Sequence, residues 1–296
     1  MISIIICSRT AKINETLKTN IEKTIGTEYE IIAIDNSANK LSIFEAYNIG
    51  VSKSNGSILC FMHDDILFHT QNWGVKVDRH FDNQNIGAIG IAGSPYAPNM
   101  PGSWWGGDLI NQQLLVKENS SLRLSTKISD GIEAVSKPVA VLDGIWLCIR
   151  KSIFDKIKFD SDNFKGYHIY DIDICLQIFK LKYELYCVFD IHIEHISMGD
   201  VNDQWIKNAL ALKKKWKKTL PVQVVKLTKT EMLDTEFKTL KEFSQILIAN
   251  NYSPKYSYNL ALKEIFQSKF GISAYKETAY FLLKYIKSTI TAFKIS

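Results

Sequence analysis

Residues 57–65 read Ser57-Ile58-Leu59-Cys60-Phe61-Met62-His63-Asp64-Asp65: five apolar side chains in succession, then an imidazole and two carboxylates. A short run that is apolar at every residue, not at alternate ones, is the pattern of a strand covered on both faces, as parallel strands between helices are. Outward toward the start, Ser3 to Ser8 is a β-branched run, Ile13 to Ile25 has apolar residues at helical spacing, and Glu30 to Asp35 is a second apolar run closing in Asp35-Asn36-Ser37. That order is β-α-β. Phe44 to Val51, again at helical spacing, and the punctuation Asn55-Gly56 lead into the quoted strand. Three strands thus end in polar clusters: Cys7-Ser8-Arg9, Asp35-Asn36-Ser37 and His63-Asp64-Asp65. In sheets of this kind ligands bind outside the carboxyl ends of the strands, so a pocket is expected at that edge.

Further along, residues 93–108 (GSPYAPNMPGSWWGGD) are too irregular for an element and too aromatic for a plain linker, the composition of a binding loop. Val139 to Arg150 is another apolar strand region with Asp143-Gly144 inside it, followed by a short helix from Ser152. Tyr170-Asp171-Ile172-Asp173 opens a helix to about Lys182, Tyr186 to Phe189 is a strand, and Ile191-His192-Ile193-Glu194-His195 alternates around an apolar strand pattern. From about Val201 the period is largely helical.

Carboxylates at the end of a buried strand are hard oxygen ligands facing a crevice, which suits Mg²⁺ or Mn²⁺. The same acids would serve equally as a solvated turn. Asp35 reads either as a hydrogen-bond acceptor for a ligand or as an Asx turn. Asp171 and Asp173 sit where a helix dipole favours acids whatever their chemistry, and Gly144 either admits a ligand close to the backbone or closes a β-turn. Of His192 and His195, the second lies nearer the strand's end and is the one expected in the crevice.

Taken in chain order, Ile4–Arg9, Ile34–Ser37, His63-Asp64-Asp65, Asp143-Gly144 and Tyr170–Asp173 resemble the motifs of bacterial family-2-like glycosyltransferases of GT-A fold, over about the first 200 residues. The resemblance implies an α/β catalytic domain of GT-A type over residues 1–204: a Rossmann-like, mostly parallel central sheet flanked by helices. Residues 205–296 would be a basic, helical C-terminal extension. It implies transfer of a sugar from a nucleotide-diphosphate donor to a hydroxyl of a glycan or lipid-linked saccharide acceptor, with inversion, in bacterial surface-polysaccharide synthesis. Ser8, Arg9, Asp35 and Asn36 would hold the nucleotide, Asp64 the ribose or donor sugar, and Asp143 with Gly144 the donor-sugar site. His63, Asp65 and His195 would hold the divalent cation, and Asp171 stands at the place of the catalytic base, with Asp173 two residues on. Two positions depart from the family pattern: His63 replaces its first Asp and Tyr170 its Glu. Imidazole ligates Mn²⁺ but is a poor ligand for Mg²⁺. Trp104 and Trp105 would stack on an acceptor sugar, or else pack as the loop's own small core. Two other readings stay open. A sugar nucleotidyltransferase would also need such a sheet and a metal, although Cys7 to Asn14 lacks a Gly-rich phosphate loop; a non-catalytic relative would bind glycan or nucleotide without turnover.

The chain has 296 residues, 46% of them hydrophobic, enough for one sizeable α/β core, and its longest apolar runs stop well before the roughly 20 residues of a membrane span. No transmembrane helix is predicted. The opening stretch enters an apolar strand without the features of a secretory signal, and the five cysteines, spread singly, read as buried thiols in a reducing compartment; a cytoplasmic setting is expected. Charge is uneven: residues 205–296 hold 17 lysines against 6 acids in a chain that nets +5, so the preceding part is net acidic. Trp205 to Lys218 and Tyr275 to Phe293 read either as amphipathic helices on an anionic membrane surface, a peripheral contact, or as helices packed on the catalytic domain with a solvated lysine face. No nucleic-acid partner is expected, since the basic run has no recognised binding module.

Overall fold

The computed structural model describes residues 1–118, 121–196 and 201–266. Its elements, in chain order, are β1 (Ile2–Ser8), α1 (Glu15–Thr24), β2 (Tyr29–Asp35), α2 (Ile43–Lys53), β3 (Ile58–Met62), β4 (Ile66–Phe68), α3 (Trp73–His80) and β5 (Ile86–Gly90). Then follow β6 (Ala92–Ser94), β7 (Tyr96–Ala97), the hairpin β8 (Asn111–Glu118) and β9 (Ser121–Lys127), β10 (Ser136–Val139), β11 (Val141–Leu142) and β12 (Trp146–Arg150). After a 3₁₀ turn come α4 (Tyr170–Lys180), β13 (Glu184–Val188), β14 (Ile193–His195), α5 (Asp203–Trp216), β15 (Val222–Gln223), α6 (Lys229–Ala249) and α7 (Pro254–Phe266). The expected segment Tyr275 to Phe293 lies outside the described residues.

The architecture is mixed α/β, built on a seven-stranded sheet in the order β10-β13-β5-β12-β3-β1-β2. Five of the seven strands (β1, β2, β3, β5 and β13) run the same way, so the expected mostly parallel sheet holds with two exceptions. The pairs β1–β2, β1–β3 and β13–β5 are parallel, but β12 runs antiparallel to both β3 and β5, and β10 antiparallel to β13. An unbroken apolar run reports that both faces are covered; it carries no information about direction. A second sheet, β11-β6-β8-β14-β4 with β9 outside β8, stands beyond the strand ends.

Both faces of the central sheet are covered. Ile5, Leu59, Phe61, Leu147 and Ile149 face one core, with Phe44 and Tyr47 of α2 and Cys175, Leu176 and Ile178 of α4. Ile4, Ile6, Cys60, Met62 and Cys148 face the other, with Leu17 and Ile21 of α1 and Trp73 and Val77 of α3. Local signals start these helices where the sequence places them: Asn14 caps α1, and Ser42 with Glu45 forms a reciprocal capping box on α2.

The basic C-terminal region is joined to this body in two ways. The apolar side of α5 (Trp205, Ile206, Ala209, Leu212 and Trp216) lies in the first core, so the membrane-facing reading of Trp205 to Lys218 does not hold: its apolar stripe is already used. Two of its lysines are also paired to this body, Lys213 with Glu264 and Lys215 with Asp160 and Asp173. Among the described residues no helix is long and apolar enough to cross a membrane. Helix α6, started by a Thr228–Glu231 capping box, lies along the loop of residues 96–108. Glu236, fully buried, accepts hydrogen bonds from the Tyr96 hydroxyl (2.7 Å) and from the backbone N–H of Asn99 (2.7 Å) and Met100 (2.8 Å). Ser103 donates to Glu242 at 2.5 Å, and Gly102, Gly106 and Gly107 come so close to Thr235 and Thr239 that a Cβ on any of them would meet the helix at 2.4–2.8 Å.

Burial pushes the Glu236 carboxyl above its ordinary range, and the three donors offset part of that cost. Glu236→Ala removes the buried acceptor that these three donors share. At about 1–3 kcal/mol for each donor that loses it, a loss of about 3 kcal/mol or more in unfolding free energy is expected by chemical denaturation. Lys238→Ala, which removes only exposed pairs to Asp108 and Asp234, is expected to shift it by less than about 1 kcal/mol. Equal effects of the two changes would refute the clamp.

Candidate active site

Because β1, β2 and β3 are parallel and in register (Ser8 opposite Asp35, Ile6 opposite Met62), their carboxyl ends fall on one edge. Arg9, Asn36 and His63 therefore emerge side by side. Strand β12 begins where β3 ends, with Trp146 opposite Met62, and the His63 N–H donates to the Ile145 carbonyl at 3.1 Å. That pairing delivers the turn Asp143-Gly144 to the end of β3. Strand β14 runs antiparallel to β4 with His195 opposite Ile66, and the Ile196 N–H donates to the Asp65 carbonyl, which sets His195 beside Asp65.

Three donor atoms converge there. His63 Nδ1 lies 3.4 Å from His195 Nε2 and 3.9 Å from Asp65 Oδ1, and His195 Nε2 lies 3.5 Å from the same oxygen. Ligands around a cation with bonds of about 2.1 Å stand roughly 3.0–3.5 Å apart in octahedral or tetrahedral geometry, so the three atoms fit one divalent ion after little adjustment. Burial holds the His63 imidazole below its ordinary pKa, against the pull of Asp143, which favours the neutral form a metal requires.

Asp171, in the first turn of α4, lines the same cleft as His63. Its Oδ2 accepts from the Gly144 N–H (3.1 Å) and its Oδ1 from the Ile172 N–H (2.9 Å), with no cation paired to it in any described contact. Desolvation first, and the neighbouring Asp143 second, raise its pKa from 3.8 to about 7. Asp143 is itself fixed, accepting from the Ile145 N–H (2.8 Å) and from the Trp104 indole N–H (2.9 Å). Asp171, Asp143, Gly144 and His63 line a cleft, with Trp104, Trp105 and Trp205, that is open to solvent and has a volume of about 120 Å³.

The residues singled out from the sequence divide. His63, Asp65 and His195 meet, and Asp143, Gly144, Asp171, Trp104 and Trp105 line the cleft beside His63. Asp35 stays exposed at its strand end, held below its ordinary pKa by the Ser37 N–H it accepts from, and Arg9 is exposed beside it. Four assignments are corrected. Asp173 is turned away from the cleft: it is 1% exposed and takes the Trp216 indole N–H (2.8 Å), Lys215 (2.7 Å) and the Gln177 amide (2.8 Å), so it joins α4 to α5. Residues two apart on a helix point about 200° from each other, which is why only one of the pair reaches the cleft. Ser8 is buried, its hydroxyl donating to the Thr10 carbonyl. The Asn36 amide accepts from the Leu41 N–H and donates to the Leu41 carbonyl and to Tyr167 Oη, so it braces its own loop. Trp104 is 6% exposed and steers Asp143, while Trp105, 39% exposed and edge-on to it, keeps an open face.

Asp64 is already engaged. The Arg9 backbone N–H and guanidinium both reach it, at 3.0 and 2.5 Å, and the guanidinium also lies 3.3 Å from Asp65. The sequence reading missed Tyr167, His168 and Trp205 as cleft residues. Tyr167 and His168 come from the loop that precedes α4 and Trp205 from α5, and neither segment carries a pattern that marks a cleft.

No curated protein sequence matches the chain. Solved structures similar to it include A197 from STIV (TM-score 0.39, 13% identity, 67% of this chain and 86% of that one). GalNAc-T7 with UDP, GalNAc and Mn²⁺ overlays with a TM-score of 0.47 at 10% identity, over 99% of this chain but 57% of that one. The mannosyltransferase PcManGT from Pyrobaculum calidifontis with GDP-Man and Mn²⁺ gives 0.48 at 11% identity, over 95% and 84%. Likenesses this loose carry no argument for the chemistry. Membership is decided by sequence, for the profile of the glycosyltransferase like family matches residues 3–220, a span that holds every site residue described above, and the chain belongs to that family.

Proposed function

We propose that this chain is a cation-dependent glycosyltransferase of GT-A type, moving a sugar from a nucleotide-diphosphate donor to a hydroxyl of a glycan or lipid-linked acceptor with inversion. Surface-polysaccharide assembly and a bacterial source rest on the motif resemblance alone. The cytosolic setting is favoured by five free cysteines, four of them buried. The observation that carries the reading is one cleft lined both by His63, a member of the converging trio of metal-type donors, and by a carboxylate whose pKa is raised to about 7.

A divalent cation at His63, Asp65 and His195 would supply positive charge against the departing diphosphate. The two imidazoles in that set favour Mn²⁺ over Mg²⁺. Arg9, whose side chain is exposed, can turn toward the same phosphates. Asp171 takes the proton of the acceptor hydroxyl as that oxygen bonds to the anomeric carbon; the bond from that carbon to the phosphate oxygen breaks, and its electron pair leaves with the diphosphate. Trp105 offers its open face to an acceptor sugar, while burial first, and Asp143 held by Trp104 second, keep Asp171 basic enough to act near neutral pH.

The direct test is release of nucleoside diphosphate from a panel of nucleotide sugars, with Mn²⁺ and the purified full chain. One donor should turn over, and Asp171→Asn and Asp65→Ala should each lower the rate by about 10²-fold or more. Release of pyrophosphate from a sugar phosphate and a nucleoside triphosphate would point instead to a nucleotidyltransferase. Full activity in both variants would remove these residues from the mechanism. Asp173→Asn should instead lower the unfolding midpoint, with the folded enzyme retaining its rate.

The pH profile follows from the sign of the Asp171 shift. With its folded pKa raised from 3.8 to about 7, Asp171 is a protonated, inactive base below that value. The kcat/KM of the free enzyme should fall about tenfold per pH unit below about 7 and level off above. The same shift means its contribution to stability is whole below pH 3.8 and lost as pH rises through about 7. A rate that is flat from about pH 5 to 8 would exclude Asp171 as the base.

A further inference from the structure

The two departures from the family pattern, His63 and Tyr170, touch each other. The Tyr170 hydroxyl lies 3.1 Å from His63 Nε2 and donates to the Gly144 carbonyl at 3.0 Å. A phenol has one proton, and a carbonyl can only accept. The arrangement that satisfies both contacts gives the Tyr170 proton to Gly144, so His63 Nε2 must carry its own proton and donate it to the phenol oxygen. The lone pair of the neutral imidazole then sits on Nδ1, the nitrogen that faces Asp65 and His195.

The buried Tyr47 hydroxyl, which has no other partner, also neighbours the phenol oxygen and can donate to it without taking the Tyr170 proton from Gly144. Tyr170 is 4% exposed, and its ring is boxed edge-on by Tyr47 (5.5 Å) and Phe44 (6.3 Å). Position 144 is shaped to admit it, since a Cβ on Gly144 would lie 2.1 Å from the Tyr170 oxygen. His63, Gly144 and Tyr170 therefore act as one unit.

We propose that Tyr170 is a positioning residue that locks His63 in the Nε2–H tautomer, presenting Nδ1 as a ligand and biasing the site toward Mn²⁺ over Mg²⁺. The proposal rests on the cation reading of His63, Asp65 and His195. Partners of this kind behind metal-bound imidazoles fix the tautomer, and their loss commonly costs about 10–100-fold in metal affinity.

The test uses the full chain and the metals alone. Mn²⁺ affinity, read from its EPR signal, should fall about 10–100-fold in Tyr170→Phe, while Mg²⁺ affinity measured by competition changes less, so the Mn²⁺ preference narrows. In a His63→Ala background, Tyr170→Phe should produce no further loss. Equal Mn²⁺ affinity in wild type and Tyr170→Phe, or the same loss in both backgrounds, would overturn the proposal. A readout that needs no folded Tyr170 variant is the ¹⁵N spectrum of histidine-labelled, metal-free protein, with His63 assigned by its disappearance in His63→Ala. Protonated Nε2 supports the assignment; protonated Nδ1 sinks it. If wild type and Asp65→Ala bind Mn²⁺ equally weakly, the cation reading itself fails, whatever the tautomer.

Discussion

The site depends on one topological constraint: β12 enters the central sheet antiparallel, between β3 and β5. A parallel strand there would begin at the opposite edge and carry Asp143-Gly144 away from the end of β3. Running the other way, β12 starts where β3 stops, and a single backbone hydrogen bond from His63 to Ile145 pins the turn against the metal-type donors. The turn in turn receives the Tyr170 hydroxyl and donates to Asp171, so both groups are fixed from one strand end.

Three buried or half-buried carboxylates show how environment separates chemistry from scaffold. Asp173 has a lysine and an indole N–H, and Glu236 has a hydroxyl and two backbone N–H groups. Both are raised by desolvation, yet both are satisfied and hold helices in place. Asp171 has two backbone donors, a neighbouring acid and an open cleft, the combination that leaves a proton acceptor poised near neutrality.

The region beyond the family match has a structural task tied to the cleft. The loop of residues 96–108 carries Gly102, Gly106 and Gly107, and glycines lose the most conformational freedom on adopting one shape. Helix α6 supplies that shape through Glu236, Glu242 and the close approach of Thr235 and Thr239 to the loop glycines. Trp104 and Trp105, carried by the loop, then face the cleft as a consequence of a helix more than 120 residues later in the chain.

What the sequence determined is the part written in local patterns. Apolar runs named β1, β2 and β3, helical spacing named the first two helices, and polar strand ends pointed to the edge where the donors lie. The short strand β4 left no comparable trace, and the alternation at Ile191 to His195 marked β14 without naming the partner that brings His195 to Asp65. The exposed β9 gave no burial pattern to read either. Only the tertiary structure decided that β12 is antiparallel, that Asp171 faces the cleft while Asp173 pairs with Lys215, that Asn36 and Ser8 serve their own loops, and that α5 lies in the core. The physical reason is common to all of these: strand direction, partner choice and desolvation are set by what packs against a residue from elsewhere in the chain, and residue type alone does not contain it.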